Sequence, residues 1–168
     1  EVLKNADKAN ELYREIIKEN TKKPDVYIKI FAANQAAKQT DKAINVLKRG
    51  VKNLPENAQL KALLGSTYLQ AGQKEEAEKI IQSLLALGEK KEVFNYVGDI
   101  YRDASDIAKA EEYYNKSLAL EPTQSDAYFG LASTYFNKGI DVLKEADKVP
   151  LDDMTGAYDK LKNESFDY

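Results

Sequence analysis

The chain repeats itself at a fixed interval, and that interval limits its fold more than anything else in it. Ala9, Ala43, Ala77 and Ala110 stand 34, 34 and 33 residues apart. Four residues after each comes a large side chain: Tyr13, Leu47, Ile81 or Tyr114. A second series runs half a period out of phase through Tyr27, Lys61, Phe94 and Tyr128. Three residues later stand Ile30, Leu64, Val97 and Leu131, then Phe31, Gly65, Gly98 and Ala132, then Asn34, Tyr68, Tyr101 and Tyr135. Spacings of three and four place these residues on one face of a helix. A period of 34 holds two such helices. One hairpin of that size cannot bury its apolar face alone, so the period predicts a stack in which neighbours cover each other.

These residues resemble the tetratricopeptide repeat family, whose pattern runs W-x2-L-G-x2-Y, then A-x3-F, then P. The fullest copy reads Phe94-x2-Val97-Gly98-x2-Tyr101, then Ala110-x3-Tyr114, then Pro122. The resemblance covers roughly residues 4–137. It implies an all-α fold, a right-handed α-solenoid of antiparallel helical hairpins forming a superhelix. The whole of 1–168 then reads as a single array: a half repeat at 4–20, full repeats at 24–57, 58–90 and 91–124, and an extended, atypical hairpin at 125–168. Within the full repeats, helices are expected at 24–38 and 41–53, 57–71 and 74–87, 91–103 and 106–120. Pro55 and Pro122 should stop helices, Gly72 should make a turn, Gly88 should close a helix in the left-handed conformation, and Ser105 and Asp106 are candidate N-caps. Partial repeats at both ends suggest a piece of a longer array.

Two places depart from the family. After Lys138-Gly139 a turn is due, but the apolar rhythm runs on through Leu131, Tyr135, Gly139, Val142 or Leu143, Ala146 and Val149. One long helix to about Lys148 is expected. A last helix, capped by Asp152 and lined by Met154, Tyr158, Leu161 and Phe166, should follow Pro150. Phe31 is the second departure, because the family prefers Gly or Ala there. Gly50 or Ala43 is expected to give it room.

Chemistry is sparse. The chain has no Cys and no His, which removes thiol nucleophiles, imidazole bases and the commonest zinc ligands together. No glycine-rich phosphate loop is present, and acidic pairs such as Glu75-Glu76 and Glu111-Glu112 suit helix starts. The chain reads as no enzyme, with no cofactor, no metal and no catalytic residue. A net charge of −3 argues against nucleic acid as a partner, and no apolar run is long enough to insert in a membrane. Of the eleven tyrosines, seven (Tyr13, Tyr27, Tyr68, Tyr101, Tyr114, Tyr128 and Tyr135) hold the repeat's large-residue positions and are expected in the core.

The resemblance also implies a function: a protein–protein interaction scaffold that binds a peptide or partner segment in a groove lined by the first helix of each hairpin. Chaperone-binding members clamp a terminal carboxylate with Lys, Asn and Arg. Here Ile28 and Ala32, or Ala62 and Ser66, stand at the Lys and Asn positions, and Glu92 and Tyr96 at later ones. No such clamp is expected. The groove positions of the last two repeats include Asn95, Asp99, Arg102, Asp103, Asp126, Phe129, Ser133 and Phe136. Acidic groups beside aromatic anchors suit a basic or amphipathic protein segment. Two other readings stay open: a regulatory or sensor segment of a larger multidomain protein, and a self-association module that forms homo-oligomers. The sequence assigns no compartment, and a bacterial extracytoplasmic space or the cytoplasm would both fit.

Overall fold

The computed structural model describes residue 11, residues 15–16, residues 21–148 and residues 156–165. Ala9 and Tyr13, the expected cap Asp152, and Met154 and Phe166 lie outside the described residues. All regular structure among the described residues is helical. Contacts divide the chain into two compact units, Glu1–Glu89 and Lys90–Tyr168.

In the first unit, α1 (Pro24–Ala36) pairs with α2 (Thr40–Asn53), and α3 (Ala58–Gln70) pairs with α4 (Lys74–Leu85), with α2 packed on α3. Pro24 opens α1 at a position where its missing N–H costs nothing. The Asn57 side chain caps α3 by accepting from the Leu60 amide at 2.8 Å. Pro55 lies just beyond the end of α2, and Gly88 takes φ 104° three residues after α4. Ala43 and Ala77 are fully buried, which lets paired backbones approach closely.

The first hairpin is locked by Tyr27, which is 0% exposed. Its hydroxyl donates to the Thr21 carbonyl at 2.9 Å and accepts from Asn53 Nδ2 at 2.7 Å. The room that Gly50 provides belongs to this ring. A Cβ on Gly50 would stand 3.0 Å from Tyr27 Cγ and 3.2 Å from Leu60 Cδ1. This corrects the sequence reading that paired Gly50 with Phe31, which is only half-buried at the edge of the core. In the next hairpin Lys61 holds the equivalent place. Its stem is buried and its ammonium reaches the Ser83 carbonyl of α4 at 2.8 Å. Burial pulls the Lys61 ammonium below its ordinary pKa, against the opposing charge of Glu56.

The second unit holds α5 (Lys91–Asp103), α6 (Ile107–Leu120), α7 (Ser125–Ala146) and α8 (Ala157–Glu164). There α5 packs on α6, α6 on α7, α5 on α7 and α7 on α8. Asp106 caps α6 by accepting from the Lys109 amide at 3.2 Å. Ser105 does not cap, because it takes φ 58° and makes the turn itself. Lys38 (φ 54°), Gly72 (φ 73°) and Ser105 thus make the same left-handed turn at one repeat position. Each turn is closed by a six-residue hydrogen bond: Gln39 to Asn34, Gln73 to Tyr68 and Asp106 to Tyr101.

The fourth hairpin lacks that turn. Gly139, the next residue in register, is helical, and α7 runs 22 residues without a break. The expected long helix is present and ends at Ala146. One consequence overturns an expectation: Tyr128, assigned to the core, is 54% exposed. Tyr27, Lys61 and Phe94 are each covered by the second helix of their own hairpin, Phe94 packing its ring 6.3 Å from Tyr113 of α6. Where that second helix would begin, α7 instead continues as helix.

Candidate functional site

On α5, residues 92, 95, 96, 99 and 102 recur at helical spacing and share a face. On α7, 126, 129, 133 and 136 do the same. Between these faces lies a hollow of about 380 Å³. Glu92, Asn95, Tyr96, Asp99 and Arg102 of α5 line it, with Tyr114 of α6 and Asp126 and Phe129 of α7. Five of the eight residues expected from the sequence therefore meet there. Asp103 stands beside them through its ion pair with Arg102, at 3.0 Å. Ser133 and Phe136 do not line the hollow, and Phe136 lies two turns further along α7, 66% exposed.

The floor is a three-way polar contact. Tyr114 Oη donates to Asp99 Oδ1 at 2.7 Å, and Arg102 Nη1 donates to the same oxygen at 2.6 Å. Arg102 Nη1 also lies 3.1 Å from Tyr114 Oη. Tyr114 is 1% exposed because two glycines admit its ring. A Cβ on Gly98 of α5 would come within 2.7 Å of it, and one on Gly130 of α7 within 2.3 Å. Both glycines are needed for close approach to this ring.

The electrostatics follow from that packing. Burial pushes the Asp99 carboxyl above the ordinary aspartate range, while the Tyr114 hydrogen bond and the Arg102 charge pull it back only in part. Burial and the Asp99 charge push the Tyr114 phenol far up. Tyr96 is raised first by burial, then by Asp99, Asp126 and Glu92. Three carboxylates thus act on one phenol, and the Arg102 guanidinium is committed to two of its acidic neighbours, Asp99 and Asp103.

Asn95 proves to be more fastener than contact. Its Nδ2 donates to Gln124 Oε1 at 3.0 Å, Gln124 Nε2 donates to Ser117 Oγ at 2.6 Å, and Ser117 donates to the Lys91 carbonyl at 2.8 Å. This chain ties the starts of α5 and α7 to the end of α6. Among the described residues, Asn95 Oδ1 is shielded and has no hydrogen-bond partner. The sequence reading kept Tyr114 for the core and omitted it from the site. Its hydroxyl was the available signal, since a buried phenol needs a polar partner.

Comparison with known proteins places the repeat. Tetratricopeptide repeat profiles match residues 3–65 and 34–95, 93–124 and 113–145. The chain belongs to the tetratricopeptide repeat family. Its fold is the all-α arrangement of antiparallel hairpins that defines that family, a scaffold type of repeat rather than a catalytic one. Protein IFIT1 homolog B of Homo sapiens is 30% identical over 105 residues, which cover 62% of this chain and 22% of that protein. The human antiviral innate immune response effector IFIT1 is 32% identical over 103 residues, 61% of this chain and 21% of that protein. The match thus spans about a fifth of the length of these relatives. Among solved structures, an IFIT1 monomeric mutant with Gppp-AAAA aligns with TM-score 0.57 at 20% identity, over 98% of this chain and 37% of that one. The crystal structure of MamA aligns with TM-score 0.51 at 23% identity, over 99% of this chain and 85% of that one.

Among the described residues, no group of three or more His, Cys, Asp and Glu side chains is placed to hold a metal ion. No helix there is long and apolar enough to cross a membrane.

Proposed function

We propose that the second unit is a protein-interaction scaffold that holds a peptide segment against α5 and α7, with the hollow at its centre. The observation that carries this is the pair of exposed aromatic rings, Phe129 (72%) and Phe136 (66%), on the helix that also presents Asp126 to the hollow. Exposed large aromatics beside a polar rim are the composition of an anchor site. Lining charge runs to three carboxylates against one guanidinium, which favours a basic or amphipathic segment. It also disfavours a phosphate backbone, which needs cationic groups. RNA is nevertheless the natural control, because the IFIT1 neighbour was solved with Gppp-AAAA.

A random dodecapeptide library displayed on phage tests this. Peptides should be enriched on the wild-type chain and lost on the Phe129→Ala/Phe136→Ala variant. Equal retention on both proteins, or no enrichment at all, would remove this face as the binding site.

A further inference from the structure

The groove carries a spacing as well as a charge. Each groove residue of α5 has a counterpart on α7, 34 residues on: Glu92 and Asp126, Asn95 and Phe129, Asp99 and Ser133, Arg102 and Phe136. Glu92 and Asp126 both lie in the first turns of their helices, so their carboxylates share one end of the face. Glu92 makes a long contact to Lys91, at 4.0 Å, and the Lys91 ammonium is held by Glu121, with Asp126 acting on it more weakly. At that end Phe129 and Tyr96 supply aromatic surface beside the acids. Two turns along α7 stands Phe136, level with Arg102, whose guanidinium is already spent on Asp99 and Asp103. One end of the face is thus anionic and aromatic, and the other is apolar with its single cation neutralised.

Ten residues of helix separate Asp126 from Phe136, a rise of about 15 Å at 1.5 Å per residue. An extended segment covers that distance in about four to five residues at 3.3 Å each. Resting on the groove reading above, we infer that the partner segment carries a two-point motif: a Lys or Arg side chain for the Glu92–Asp126 end and an apolar side chain four or five residues away for Phe136. The cation sits between two carboxylates and against aromatic faces, an arrangement that favours guanidinium or ammonium over a neutral group. The apolar residue covers the exposed ring of Phe136.

The test uses peptides enriched on the wild-type chain, synthesised with a fluorescent label and titrated by anisotropy. Enriched sequences should share a basic and an apolar residue four or five apart, in either chain direction. Moving them to one or eight apart should weaken binding by about tenfold, the scale of one lost anchor. Glu92→Gln/Asp126→Asn should weaken peptides with Arg or Lys and leave their Ala versions unchanged. Phe136→Ala should weaken peptides with the apolar residue and leave its Ala version unchanged. Enriched peptides that are acidic, or that tolerate any spacing, would overturn the motif while the groove stands. No enrichment, or binding of labelled Gppp-AAAA in preference to every peptide, would overturn both.

Discussion

The third hairpin and the helix that follows it begin alike and end differently. Ser105 and Gly139 hold the same place in the repeat, 34 residues apart. At Ser105 the chain turns through a left-handed residue and returns as α6. At Gly139, where a left-handed turn would be easier, it continues as helix. The turn residue is therefore not what makes a hairpin. The returning segment is. Ala110 and Tyr114 of α6 bury against their neighbours, and 34 residues later stand Lys144 and Lys148. A helix folding back at Gly139 would press two ammonium groups into a packed face, a cost that burial without a partner makes prohibitive. Lys144 instead pairs on the surface with Asp141 at 3.0 Å, and Lys148 with Glu145.

The largest test of this comparison is at the ring that a completed hairpin covers. Tyr27→Ala removes a ring that is fully buried and hydrogen-bonded to both sides of its hairpin. It should cost about 3–5 kcal/mol, in the range for buried aromatic truncation. Urea denaturation followed by circular dichroism reads it. A loss below about 1 kcal/mol would mean that Tyr27 does not lock the hairpin, since such small losses belong to loosely packed or surface sites.

A second, smaller effect tests how the long helix is held. Gly130→Ala would place a Cβ 2.3 Å from Tyr114 Cε1, a ring that Gly98 also approaches closely and that is held by its hydrogen bond to Asp99. A destabilisation of about 1–3 kcal/mol is expected, as for other overpacked cores. The double variant Gly130→Ala/Tyr114→Ala should cost less than the sum of the single changes, because the clash disappears with the ring. Additive losses would show that Tyr114 is not the neighbour that matters.

The third effect is electrostatic. Asp99 is held above its ordinary range by burial, with the Tyr114 hydrogen bond and the Arg102 charge opposing that and Asp103 adding to it. A carboxyl raised in the folded state favours folding while protonated. Its contribution is fully present below the unfolded pKa and is lost as pH rises through the raised folded value. Carboxyl carbon shifts in an NMR titration should place the Asp99 midpoint above the usual aspartate value. Tyr114→Phe should move it further up, since a bond to the charged form is gone. A midpoint that falls in that variant would contradict the geometry of the floor.

The helical repeat was legible in the sequence because every copy states it again. Turn positions, the buried Ala series and the absence of a turn after Gly139 all show in spacing alone. Contacts between elements were less legible. Gly50 was paired with Phe31 by the family's preference at one position, whereas its actual neighbour is Tyr27, one helical turn away. Tyr128 was placed in the core because its position is a core position in complete repeats. Nothing local to Tyr128 reports that the helix does not turn back at Gly139; that information lies at Lys144 and Lys148. In the candidate site, spacing put Asp99, Arg102, Asp126 and Phe129 on the helix faces that line the hollow. It did not show that Asn95 is tied to Gln124 or that Tyr114 supplies the floor, since both depend on which polar groups meet across helices.

The smallest expected effect is the sharpest test of the comparison. Tyr128 and Tyr27 are the same residue at the same repeat position, yet one is 54% exposed and the other 0%. If Tyr128 is exposed because α7 never turns back, Tyr128→Ala should change stability by no more than about 0.5 kcal/mol, the usual range for a surface site. Replacing Lys144 with Ala and Lys148 with Leu restores the small-x3-large signature after Gly139. In that background the segment after Gly139 gains an apolar face able to pack on α7. Tyr128→Ala should then become costly, since the ring would have a helix to pack against. A loss of several kcal/mol in the natural sequence would instead mean that a covering element already shields Tyr128, a cost typical of a buried aromatic. No change in the redesigned background would mean that the two lysines are not what keeps the fourth hairpin open.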